Sequence, residues 1–165
     1  MADDRGSASD LGIVDGLVQA SFVVQEVLAE IAAEHALSIV QVRLLGILRD
    51  REPRMAELAR GLGLTKSSAT GLVDRAARRG LVQRATIAVG DERAVHVVIT
   101  DEGRALIDGL AVQVAVRLGA LLDRLSQTDR GQLSLLLTRL VIRDADQHGV
   151  DLTPQRSTAP AGHSR

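Results

Sequence analysis

The sequence contains no cysteine, tryptophan or tyrosine, and only one phenylalanine, Phe22. Without a thiol there can be no disulfide, thiolate nucleophile, cysteine-ligated zinc or thiol redox sensor. With so few rings, a ligand site built on aromatic stacking is not expected. Binding of single-stranded nucleic acid on aromatic platforms is not expected either. Lysine is almost absent: Lys66 is the one lysine among 20 basic residues, a bias of composition that carries no function by itself. A large net charge is also missing. At -1 overall, the whole chain is not a polybasic binder of nucleic acid or membrane, so charge has to be read segment by segment.

Motifs of catalysis are lacking as well. There is no G-x-S-x-G elbow, no phosphate-binding loop and no dinucleotide fingerprint, and the paired acids Asp3 and Asp4 stand in a polar terminus. An enzyme is not expected. No two of the four histidines (His35, His96, His148 and His163) are spaced for chelation on a helix. A metal site would need His35 together with residues such as Glu26 or Glu30; the other readings are that His35 lines an effector pocket or, more simply, ends the first helix. No metal or cofactor is expected. Residues 1–10 are acidic and polar, unlike a secretory signal, and no continuous apolar run approaches the roughly 18–20 residues that cross a bilayer. The expectation is a cytoplasmic protein without a membrane partner.

What is present is 45% hydrophobic and 25% charged residues in 165, enough for one domain with helical appendages. Residues 1–9 read as a disordered terminus. Over 10–36, Leu11, Val14, Val18, Phe22, Leu28 and Ala32 follow helical spacing. Ser38 and Gln41 form an S-x-x-Q capping box for a second helix, which stops before Pro53. Two short helices follow, 55–61 and 65–79, joined through Gly61-Leu62-Gly63-Leu64 and closed by Gly80. Thr65 is the N-cap of the second. The period then becomes that of strands at 81–86 and 94–99, with a turn signal at Gly90-Asp91. Thr100, followed by Asp101 and Glu102, opens a helix to about Leu125, and Thr128 and Asp129 open the last one, to about 145. Residues 146–165 read as a disordered tail.

A helix pair with a short glycine-containing connection is a helix-turn-helix, and a β-hairpin directly after it adds a wing. The fold expected is mainly α with a small β-hairpin wing. The winged helix-turn-helix would span 37–100, flanked by long N- and C-terminal dimerisation helices at 10–36 and 101–145. Charge agrees with a DNA-facing role for the middle part. From Arg54 to Arg93 there are eight basic and four acidic residues, while the rest of the chain has twelve basic and seventeen acidic. The basic excess sits in the segment whose shape enters a groove.

Several short runs carry a resemblance. They are Glu57-Leu58-Ala59, Leu62-Gly63-Leu64, Gly71-Leu72-Val73-Asp74-Arg75 and Gly80-Leu81-Val82-x-Arg84, then Asp91-x-Arg93 and Ile99-Thr100-x-x-Gly103. Together they resemble the winged helix of MarR-type transcriptional regulators over roughly residues 37–105. The sequence departs at Ile99, where the family has Leu, and at Glu92, where a basic residue is common. The resemblance implies a homodimeric regulator, a repressor relieved by a small anionic or phenolic ligand, binding a palindromic site on double-stranded DNA. The alternative is a helical ligand-binding or protein-interaction dimer without DNA binding, towards which Glu92 points.

The candidate DNA-binding residues are Lys66, Ser67, Ser68, Thr70, Gly71, Arg75, Arg78, Arg84 and Arg93, with Asp91 supporting the wing. Short hydroxyl side chains at a helix start can approach base edges and phosphates, against a bland role in capping. Arg75 and Arg78 lie on the exposed face and suit phosphate; the bland reading pairs Asp74 with Arg78 four residues on. Arg84 is read as a phosphate contact or a partner of Asp91. Arg93 resembles the family's minor-groove arginine.

Overall fold

The computed structural model describes residues 12–89 and 92–147, with the backbone alone at 87–89, 92–93 and 144–147. The disorder expected at 1–9 and beyond 147 lies outside the described residues, as does Asp91. Among the described residues six helices and one hairpin follow in order: α1 Gly12–Glu34, α2 Ile39–Asp50, α3 Met55–Leu62, α4 Lys66–Arg78, β1 Val82–Val89, β2 Glu92–Ile99, α5 Asp101–Leu122 and α6 Gln127–Gln147. This is the expected class, a mainly helical chain with a two-stranded wing.

The core lies where the central segments meet. Ile31 of α1, Leu44, Leu45 and Leu48 of α2, Leu58 of α3, Val73 of α4, Val97 of β2 and Leu110 of α5 are all almost fully buried. Complete burial of such side chains stabilises by about 1.5–3 kcal/mol each, so this cluster fixes how α3 and α4 sit. The helix starts follow local chemistry. Ser38 Oγ accepts from the Gln41 N–H at 3.3 Å, and Gln41 Oε1 accepts from the Ser38 N–H at 2.9 Å, completing the expected box. Glu57 Oε2 accepts from the Arg54 N–H at 2.9 Å and supplies half of such a box for α3. Gly63, in the left-handed region at φ 66°, turns the chain between α3 and α4.

Some boundaries differ from expectation. The first helix stops at Glu34, and Ala36 turns the chain at φ 51°, a conformation costing an L-residue roughly 1–2 kcal/mol. α5 ends at Leu122, short of Leu125. α6 begins earlier than Thr128, because Ser126 is its cap: Ser126 Oγ accepts from the Asp129 N–H at 3.1 Å. Its helical backbone reaches Gln147, so 146 and 147 belong to the helix and not to a tail. The strands extend towards the hairpin tip, where Ile87, Ala88 and Val89 pair with Ala94, Arg93 and Glu92. The connection is thereby reduced to residues 90 and 91.

Much apolar surface stays uncovered within one chain. Ile13 is 91% exposed, Val116 68% and Leu136 61%. α1 and α5 are 23 and 22 residues long, with 18-residue windows of mean hydropathy 1.3 and 1.7. By length and composition both are apolar enough to cross a bilayer. Charged residues punctuate both, so neither is an unbroken apolar run. Those charges join the two helices to each other: Arg117 of α5 pairs with Glu30 at 3.0 Å and also with Glu34 of α1. The hydrogen bond from Arg117 to Glu34, with the charges of both glutamates, raises the guanidinium's pKa above its ordinary value.

Candidate nucleic-acid interface

α4 is held by its inner face, where Ala69, Leu72, Val73 and Ala76 are buried. The outer face therefore presents Lys66, Ser67, Ser68, Arg75 and Arg78 exposed, with Thr70 and Gly71 half-buried. Within this face the hydroxyls are not equivalent. Thr65 Oγ1 accepts from the Ser68 N–H at 3.2 Å and donates to Ser68 Oγ at 2.9 Å, so Ser68 belongs to the cap. Thr70 donates to the Lys66 carbonyl at 2.8 Å, which leaves its oxygen only as an acceptor. A Cβ at Gly71 would lie 3.5 Å from Arg75 Nη1, so the Arg75 side chain folds back over the glycine.

The wing is tied to this helix at two places. Arg84 of β1 donates to Asp74 Oδ1 of α4 at 2.7 Å. Asp74 thus pairs with Arg84 rather than with Arg78, while the alternative partner of Arg84, Asp91, lies outside the described residues. Both side chains are about two-fifths exposed (44% and 40%), so the pair orients the strand more than it stabilises the fold. The second tie is at the root of the hairpin. Gly80, at φ 73°, ends α4, and Thr100 donates its N–H to the Leu81 carbonyl at 3.1 Å. Thr100 Oγ1 donates to the Gly80 carbonyl at 2.6 Å and accepts from the Gly103 N–H at 3.1 Å. Gly103 comes so close that a Cβ there would stand 2.1 Å from the Leu81 carbonyl oxygen. The threonine and glycine of the T-x-x-G run are therefore one device, clamping the two ends of the wing beside α4.

A third element stiffens the hairpin. Val97 donates its N–H to the Pro53 carbonyl at 3.0 Å, and Arg54 bridges His96, so the α2–α3 connection runs beside β2. His96 Nδ1 meets the Glu52 carbonyl there.

Residues 36–94, covering the helix pair and most of the hairpin, match the family model described as MarR family. The chain is also 26% identical over 132 residues to the HTH-type transcriptional regulator PecS of Dickeya dadantii, spanning 78% of this chain and 79% of PecS. Over residues 36–94 this chain is similar to MarR-type transcriptional regulators.

Solved structures agree on the fold. NadR in complex with 4-hydroxyphenylacetate superposes with a TM-score of 0.63 at 26% identity, covering 85% of this chain and 97% of NadR. The RV1404 protein of Mycobacterium tuberculosis does so at 0.66 and 23% identity, covering 86% of this chain and 95% of that one.

Lys66, Ser67, Ser68, Thr70, Gly71, Arg75 and Arg78 share one helix and its outer surface, with Arg84 beside them through Asp74. The Arg93 backbone is in β2 opposite Ala88. Sequence reasoning missed Arg79, whose guanidinium reaches the carbonyls of Ala36 and His35. No local pattern signals that contact, because its partners are 43 and 44 residues away. It also left Thr100 as a plain cap. His35 stands in the turn just after α1, and its Nε2 lies 3.2 Å from Gln113 Nε2 of α5. Among the described residues no three metal-ligating side chains come together.

Proposed function

We propose that this protein is a MarR-type regulator, a cytoplasmic repressor that binds a palindromic site on double-stranded DNA as a homodimer. In this reading α4 enters the major groove, the wing lies along the adjacent minor groove, and a small anionic or phenolic ligand releases the complex. The observation that carries the reading is the outward row of Lys66, Ser67, Thr70, Arg75 and Arg78 on a helix braced against both the core and the wing. Phosphate contacts from the cations would position the helix, and the short polar side chains near its start would read base edges.

The exposed apolar faces of α1, α5 and α6 support the dimer. Contiguous apolar surface of this kind marks an interaction site, and a two-fold partner would cover it while placing two α4 helices on one side of the duplex. Light scattering is expected to give twice the 17.5 kDa chain mass, and a clean monomer would remove the basis for a palindromic site.

Release follows from population shift: a ligand that prefers a dimer with the wrong spacing of α4 helices draws the protein off the duplex. NadR, the 26% identical relative, holds 4-hydroxyphenylacetate. In this chain Gln113 Oε1, between α1 and α5, is buried without a hydrogen bond, an acceptor that a phenolic donor would satisfy. Hydroxylated aromatic acids are the first compounds to screen for release.

The DNA reading is tested by two variants expected to differ in kind. Arg75→Ala should weaken binding to every duplex by a similar factor and flatten the slope of log affinity against log salt by about one unit. Ser67→Ala with Thr70→Ala removes no charge, so the slope should stay while preference for the specific duplex falls. The helix itself should survive, because alanine is the better helix former and Thr65 keeps the cap. Binding is measured on specific and scrambled duplexes at several salt concentrations. Full retention of preference in the hydroxyl variant would mean that another surface reads the bases.

A further inference from the structure

The end of α1 is a junction gripped from two sides. From α5, Arg117 holds Glu30 and Glu34, and Gln113 meets His35. From the end of α4, the Arg79 guanidinium donates through Nη1 to the Ala36 carbonyl at 2.7 Å and through Nη2 to the His35 carbonyl at 3.1 Å. A cation is favoured at a helix C-terminus, and a planar fork on two successive carbonyls fixes orientation as a single donor cannot. The corner itself is built on Ala36 at φ 51°, closed by the Leu37 N–H on the Ala32 carbonyl at 2.8 Å. Arg79 is equally fixed at its own end. The N–H groups of Arg79 and Leu81 return to the Ala76 carbonyl at 3.2 and 3.1 Å. A continuous line of directed bonds thus runs from α5 through the α1 corner to the end of α4.

We propose that Arg79 is a positioning residue: by pinning the end of α4 to the α1–α2 corner, it sets the angle of the DNA-facing helix and carries displacements of the α1–α5 pair to it. The proposal rests on the DNA reading above and adds a role for an arginine that would otherwise count as one more charge in the basic segment.

The test uses the full chain and its R79Q, R79K and R79Q/A36G variants. Each is measured for melting temperature, for binding to the specific duplex across a salt series, and for amide hydrogen exchange. R79Q is expected to lose at least tenfold in affinity while keeping the wild-type salt slope, since Arg79 is engaged with carbonyls and touches no phosphate. R79K should recover part of the loss, because an ammonium can keep one of the two bonds. Glycine at 36 relieves the strained corner without remaking the tie, so R79Q/A36G should recover melting temperature and not affinity. Exchange in R79Q should quicken at Leu37 and Leu81 together. Unchanged affinity, a slope flatter by about one unit, or affinity returning along with melting temperature in R79Q/A36G would each overturn the proposal. So would an unfolded R79Q that A36G does not rescue, because Arg79 would then be a residue of the fold. If the wild-type chain binds no duplex, the DNA reading fails instead, and the exchange at Leu37 and Leu81 still decides whether the tie exists.

Discussion

Gly103→Ala is expected to destabilise the protein by about 3 kcal/mol, the upper part of the usual range for overpacking. The added methyl would stand 2.1 Å from the Leu81 carbonyl oxygen and 2.9 Å from Ile99 Cγ1. Neither neighbour can yield cheaply. The carbonyl is backbone and already accepts from the Thr100 N–H at 3.1 Å, and Ile99 ends the strand that pairs with Val82. To make room, α5 must move away from the root of the wing, which breaks the Thr100 clamp. In a chain of this size the melting temperature should fall by about 6–12 °C. Gly109→Ala is the matched control in the same helix: nothing lies within 4 Å of its Cβ position, so the better helix former should stabilise by about 0.5–1 kcal/mol. Equal melting of Gly103→Ala and wild type would show that the close approach does not hold the wing.

Arg93→Ala is expected to leave the fold intact and to weaken binding to the specific duplex by on the order of 1–3 kcal/mol, the range for a lost arginine contact in a groove. A narrow minor groove concentrates negative potential, which makes an arginine at a hairpin tip effective there. Arg93 stands two residues past the 90–91 connection, paired through its backbone with Ala88. If the residue serves DNA and not the fold, the change should alter stability by no more than about 0.5 kcal/mol. Anisotropy titration and thermal melting check the two halves, and unchanged affinity with unchanged melting would show that the wing does not engage DNA.

The contrast between these two residues reflects what a sequence can convey. Local signals were legible because they act over three or four residues. Ser38 with Gln41, Thr65 and Thr100 cap the helices they were expected to cap. The alternation of small and apolar residues at Ala69, Leu72, Val73 and Ala76 gave the buried face of α4 and hence its outer face. Ser126 was legible too, since S-x-x-D precedes the last helix, yet the nearer hydroxyl of Thr128 drew the expectation. Partners far apart in the chain were not legible. Asp74 had a plausible neighbour in Arg78 on its own helix, but the return of β1 beside α4 brings Arg84 to 2.7 Å. The Arg79 fork and the Pro53 carbonyl on β2 depend wholly on tertiary placement. Gly103 was visible as part of a motif, while the reason for it, a carbonyl from the other end of the wing, was not.

Selection of bound duplexes from a random pool by the wild-type chain tests the central claim most directly, with light scattering on the recovered complex. The expected result is enrichment of one inverted repeat whose half-sites lie about one helical turn, ~10 base pairs, apart or a multiple of it, with two chains bound per duplex. A pool that gains no common sequence, with retention no stronger than for scrambled DNA at every salt concentration, would contradict it.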